Sequence, residues 1–207
     1  DLSIGYKTRR EARKTIVADL SLDLRAGDLI CLVGPNGCGK STLLRTLTGL
    51  LPPLSGEVHL GGRDVRTLAP LKRAKLVSIV LTNPVRAGRL SVYDVCGLGR
   101  YPYTGWLGAL TNEDRRQVEQ ALDAVRVVSF ADRFLDELSD GERQKVMIAR
   151  ALAQNARLMI LDEPTAYLDV PYRIEIMHIL RNLAWREDRG ILLSTHDLDL
   201  AMRTADR

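Results

Sequence analysis

Apolar positions along this chain follow two rhythms, and the change between them divides it. Residues 2–6, 16–24 and 29–33 carry the alternating or continuous apolar runs of strands. The third, Leu29-Ile-Cys-Leu-Val33, is apolar at every position, as a strand buried on both faces is. A basic stretch at residues 7–14 separates the first two and reads as a solvated hairpin loop. A helix to about Leu50 follows, closed by Gly49 and Pro52-Pro53. Residues 57–60, turned by Gly61-Gly62, and residues 76–81 read as short strands. From about Val92 to Leu152 the rhythm lengthens to that of helices, at residues 92–98, 112–125 and 141–153. Alternation of strand and helix then resumes. It gives an apolar run at 158–161, a helix at 170–185, a strand at 191–194, and a last helix after His196 that continues through Arg207. The pattern predicts an α/β fold with a mainly parallel sheet, an N-terminal antiparallel β part and an inserted helical subdomain. The core is expected at residues 1–90 and 154–207, and the helical subdomain at about 91–153.

Bulk properties narrow the classes without naming a chemistry. A length of 207 residues suits one such domain, and 45% hydrophobic with 27% charged residues is ordinary globular composition. A net charge of +4 permits contact with nucleotides or an anionic membrane surface, and requires no nucleic-acid partner. Cys31, Cys38 and Cys96 are odd in number and lack metal-ligand spacing, so a reducing cytosol is the expected compartment. No run approaches the roughly 20 apolar residues of a membrane span, and no secretory signal opens the chain. The first residue is Asp1 and the last lies within an expected helix, so both ends read as trimmed.

The chemistry begins directly after the buried run. Gly34, Pro35, Asn36, Gly37, Cys38, Gly39, Lys40, Ser41 and Thr42 match the phosphate-binding pattern G-x-x-x-x-G-K-[ST], placed between a strand and a helix. Glycines let successive backbone N–H groups turn inward around phosphate oxygens, and the following helix adds its positive end. Lys40 would reach the β and γ phosphates, and the Ser41 hydroxyl would take one place on Mg2+. A second apolar run, Leu158-Met-Ile-Leu, ends in Asp162-Glu163. A buried strand would deliver Asp162 beside the loop to hold magnesium directly or through water. Neighbouring strand residues point to opposite sides, which leaves Glu163 to deprotonate an attacking water as a general base.

Leu138-Ser-Asp-Gly-Glu142, at the start of a helix, resembles the signature motif of ATP-binding-cassette (ABC) ATPases through Ser139 and Gly141. The same residues also make a capping box, with Ser139 as N-cap and Glu142 three residues on. In that family the cap faces the γ-phosphate of ATP held by the opposite subunit. The resemblance implies further roles in chain order. Tyr6 corresponds to the aromatic that stacks on adenine, Tyr167-Leu168-Asp169 to the loop that crosses the dimer interface, and His196 in Ser194-Thr195-His196-Asp197 to the switch histidine. The catalytic set is then Glu163, His196 and Lys40. Thr82, in Leu81-Thr-Asn83, stands where the family has a magnesium-ligating Gln. Its hydroxyl can hydrogen-bond a metal-bound water, with a reach about two bonds shorter than an amide's.

Val92-Tyr-Asp-Val95 and Gly99-Arg-Tyr-Pro-Tyr-Thr-Gly-Trp106 resemble the ATPase subunits of iron–siderophore, haem and cobalamin importers. Tyr101, Tyr103 and Trp106 form an aromatic cluster suited to a partner helix, and equally to packing on the helical subdomain. The resemblance implies a peripheral ATPase at the cytoplasmic face of the cell membrane, with ATP and Mg2+ as cofactors. Its partners would be integral-membrane permease subunits, a second copy of itself and a solute-binding protein, with no nucleic acid. ABC ATPases of DNA repair carry long coiled-coil insertions where this chain has only about fifty-five residues, and those of translation usually join two cassettes in one chain. A non-hydrolysing regulator would not need Glu163 and His196.

Overall fold

The computed structural model describes residues 1–6, 14–82, 88–106 and 108–206. Most of the expected basic loop (residues 7–13), and Asn83, lie outside the described residues. The N-terminal part pairs β1 (Leu2–Tyr6) antiparallel with β2 (Lys14–Leu20). Next come β3 (Leu29–Val33), α1 (Lys40–Leu47), a two-residue hairpin of β4 (His59–Leu60) and β5 (Arg63–Asp64), α2 (Pro70–Ala74) and β6 (Val77–Val80). The helical stretch holds α3 (Val92–Gly97), α4 (Asn112–Ala124) and α5 (Asp140–Ala153). The chain closes with β7 (Leu158–Asp162), α6 (Val170–Glu187), β8 (Gly190–Thr195) and α7 (Leu198–Thr204).

The main sheet runs β3-β8-β7-β6 and is parallel at every pairing. Its two faces are read directly from residue alternation. Leu29, Met159, Leu161, Ile191 and Leu193 join a core cluster with Val95, Leu122, Ile148 and Ile176 of the helices. Ile30, Ile160 and Leu192 face the other way, onto Ile4, Leu44 and Leu60. The helical stretch therefore shares one continuous core with the sheet. Each of its helices opens on a reciprocal capping box: Ser91 with Asp94, Thr111 with Asp114, and Ser139 with Glu142.

Register decides what the fold can do. Val33 pairs with Thr195, and Asp162 with Ser194, so the carboxyl tips of three adjacent strands end together. In open α/β sheets this is where ligands bind.

Several element bounds differ from the sequence expectation. The second strand lies at Lys14–Leu20 instead of residues 16–24, the strand at 57–60 shortens to His59–Leu60, and the helix after the glycine loop stops at Leu47. The last helix does not run on through Arg207. It stops at Thr204, because the Asp206 N–H donates to the Leu29 carbonyl and its carboxylate accepts from the Leu29 N–H. That drags the chain out of the helix and alongside β3.

Candidate functional site

At these strand tips lies a cavity of about 550 Å³ lined by Tyr6, Lys14, Ile16, Asn36, Gly37, Gly39, Lys40, Ser41, Thr42, Thr82, Glu163 and Tyr167. The turn from β3 into α1 is made by Gly39, at φ 107°, where the chain needs a residue without Cβ. A Cβ there would also lie 2.2 Å from Ile16 Cγ2, so β2 seats directly on the loop. No side chain caps α1, which leaves its first N–H groups open to the cavity.

Lys40 is buried and threads back under the loop. Its Nζ donates to the carbonyls of Gly34 at 2.7 Å and Pro35 at 3.2 Å, and lies 3.2 Å from Glu163 Oε1. The other Glu163 oxygen is 3.5 Å from His196 Nδ1. Three residues distant in sequence thus meet around one carboxylate. The Tyr6 hydroxyl shares a hydrogen bond of 2.8 Å with Thr42 Oγ1, tying the end of β1 to α1. Cys38 is exposed on the same loop.

Asp162 is 3% exposed and does not line the cavity. Ser194 Oγ donates to its Oδ1 at 2.8 Å, and Thr82 Oγ1 donates to its backbone carbonyl at 2.8 Å. Glu163 is not the next strand residue with an alternating direction, as sequence logic has it. Strand β7 ends at Asp162, and Glu163 adopts a left-handed conformation at φ 48°. Its N–H donates to Ser194 Oγ at 2.9 Å and its carbonyl accepts from the Ala166 N–H. This turn, instead of strand alternation, aims the two carboxylates differently. Ser194 serves both; its place at the strand tip was visible in the sequence, its double contact was not.

For a magnesium ion the donors are sparse but of the right kind. Among the described residues no cluster of three or more His, Cys, Asp or Glu could hold a metal. The Ser41 hydroxyl on the cavity wall, with an oriented carboxylate behind it, suits a hard cation that takes its other ligands from phosphate and water. Thr82 lines the cavity too, but its single proton is spent on the Asp162 carbonyl.

Ser139, Gly141, Asp169 and His196 do not line the cavity. Ser139 accepts the Glu142 N–H and donates to the Glu142 carboxylate at 2.8 Å, which holds that carboxyl below its ordinary range. Gly141 lies against the Tyr172 ring, where a Cβ would come within 2.5 Å of Cδ1. Among the aromatics of the residue 99–106 segment, Trp106 is fully exposed and Tyr101 largely so. Tyr103 is instead packed under the buried Arg100, whose guanidinium pairs with Asp114 at 2.9 Å. Lys14 and Ile16 are cavity residues that no motif flags; only the pairing of β2 with β1 brings them there.

A parallel sheet whose tips present a glycine loop, its lysine and a carboxylate pair defines a phosphate-loop nucleoside triphosphatase. The sequence matches the ABC transporter family over residues 17–166. It is 41% identical over 207 residues to an uncharacterized ABC transporter ATP-binding protein of Methanocaldococcus jannaschii, covering 100% of this chain and 70% of the relative. It is 39% identical over 202 residues to the iron(3+)-hydroxamate import ATP-binding protein of Bacillus subtilis, covering 98% and 73%. It superposes with a TM-score of 0.82 on the dimeric, post-hydrolysis structure of an ATP-binding cassette bound to ADP and Pi, at 28% identity over 99% of this chain and 89% of that one. The chain belongs to the ABC transporter ATP-binding family, and it is an ATPase cassette.

Proposed function

We propose that this cassette binds MgATP in the cavity at residues 34–42 and hydrolyses it to drive an importer of an iron–siderophore, haem or cobalamin type of chelate. The observation that carries the chemistry is the placement of Lys40 between the loop carbonyls and Glu163. A γ-phosphate entering the cavity competes with Glu163 for the Lys40 ammonium. The released carboxylate, steadied by His196 on its other oxygen, can then take a proton from water. Ser41 and Asp162 are the residues that would hold a magnesium ion, which would supply charge neutralisation at the phosphates. Tyr6 offers a ring face for adenine at the rim.

Ser139 and Gly141 lie outside the cavity, which favours the reading in which they complete the ATP site of a second copy, with Asp169 at the interface. The permease subunits would be met by the segment bearing Tyr101 and Trp106, whose rings are exposed beside a rigid Arg100–Asp114 anchor. Import is supported by the likeness to the iron(3+)-hydroxamate import ATP-binding protein; a solute-binding protein and a place at the cytoplasmic face of the membrane belong to the same proposal. Among the described residues no helix is long and apolar enough to cross a membrane. The test is co-purification with an integral-membrane partner, reconstitution in vesicles, and ATPase measurement with each class of chelate. Stimulation by one class is the expected result. Stable association with nucleic acid and no membrane partner would overturn the transport reading.

A further inference from the structure

The first turn of α6 lies between two loops that serve the proposed ATP chemistry and the start of α5. Arg173 Nε donates to the Leu168 carbonyl at 2.6 Å, and its Nη1 lies 3.7 Å from Asp197 Oδ2. Leu168 belongs to the stretch that leads away from Glu163, and Asp197 follows His196. That stretch carries two non-glycine residues in the left-handed region, Glu163 at φ 48° and Tyr167 at φ 63°. Such backbone persists only where its surroundings over-determine it. A guanidinium that hydrogen-bonds one loop's carbonyl and forms an ion pair with the other loop's carboxylate is a restraint of this kind. The turn itself has a fixed base. Tyr172 packs its ring on Gly141, and Lys145 of α5 lies 5.5 Å from the same ring while pairing with Glu175 at 2.6 Å.

We infer that Arg173 is a positioning residue for hydrolysis, coupling the loop after Glu163 to the loop that carries His196 so that neither shifts without the other. It does not line the nucleotide cavity, so it acts on turnover through those loops and leaves binding alone. This rests on the ATPase reading proposed above.

The experiment uses the intact protein and measures steady-state MgATP hydrolysis together with binding of a fluorescent ATP analogue. Arg173→Met is expected to lower kcat about 10-fold, with KM and analogue affinity within about twofold. Arg173→Lys, which keeps the charge but not the fork, should recover part of the loss. The double variant with His196→Ala should be no slower than His196→Ala alone, because both remove one positioning function. A general weakening of the fold would lower analogue binding and add to the histidine's effect. An unchanged kcat in Arg173→Met, or fully additive losses, overturns the coupling and leaves the ATPase standing. If Arg173→Met does not fold, Arg173→Gln and Asp197→Asn make the same comparison; both must slow turnover, and either one at the parental rate overturns the coupling. A parent protein that neither binds the analogue nor hydrolyses MgATP overturns the function and the role of Arg173 together.

Discussion

Two helix N-termini in this molecule carry the chemistry expected of phosphate sites, and they are built in opposite ways. Helix α1 starts at Lys40 with Gly39 as N-cap, no side-chain cap and no acidic residue in its first turn. Helix α5 starts at Asp140 with a complete Ser139–Glu142 box and two acids, Asp140 and Glu142, in its first turn. The free N–H groups and positive end of α1 are left for a ligand. At α5 the protein's own groups take two N–H donors, with Ser139 Oγ accepting from Glu142 and the Glu142 carboxylate accepting from Ser139, and two acids set negative charge beside the rest, which disfavours an anion. Such an end folds without a nucleotide and is a weak phosphate site alone. In the proposed function it suits a contact made second, onto a triphosphate whose charge Lys40 of a second copy and a magnesium ion would already offset. On the function proposed above, the difference assigns binding to one end and closure to the other.

The largest effect should come from the carboxylate at the α1 end. Glu163→Gln should slow hydrolysis by roughly 10²–10⁴ while ATP still binds. Turnover at the parental rate would remove Glu163 as the base. Lys40→Ala comes next. It deletes a buried ammonium held by two carbonyls, and should weaken nucleotide affinity roughly 10–100-fold in equilibrium binding. Unchanged affinity would contradict the assignment of α1 as the binding end.

Ser139→Ala tests the other side of the contrast. Hydrolysis should fall about 10-fold and ATP-driven pairing of two copies should weaken, while a single chain binds nucleotide as before. Binding by the single chain is the discriminating measurement. If it drops in step with hydrolysis, the two ends are not divided as their caps suggest.

How far the sequence shows this contrast depends on how local each signal is. The phosphate loop and the capping box are runs of a few residues whose geometry follows from short-range hydrogen bonding, so both were legible. So was the parallel sheet, because strands buried on both faces leave unbroken apolar runs such as residues 158–161. The direction of Glu163 was not. It depends on a left-handed turn fixed by Ser194, thirty-one residues away in the chain, and no period in the sequence encodes that. The end of the last helix was lost for the same reason, since Asp206 is drawn off by Leu29 across 177 residues. Gly141 was read as part of a motif, although its immediate requirement is steric and comes from Tyr172 on another helix.

The smallest effect concerns the acid that closes the α5 box. Hydrogen bonds from the Ser139 hydroxyl, and then from its backbone N–H, hold the Glu142 carboxyl below its ordinary value of 4.5. A carboxyl depressed in the folded state adds stability that is fully present above its unfolded value and is lost as pH falls through the folded one. The parent protein should therefore lose this part of its stability only below about pH 4.5, and not near neutrality. Glu142→Gln retains a box acceptor without the charge, so its melting temperature should respond less to acid, by about 2 °C between pH 7 and pH 4. Removing that carboxylate also lifts a repulsion from the α5 end, and ATP-driven pairing should strengthen. The two readouts separate the roles: a pH response that the substitution leaves intact would show that the box carboxylate is not the titrating group. Weaker pairing would show that Glu142 assists the phosphate contact and does not oppose it.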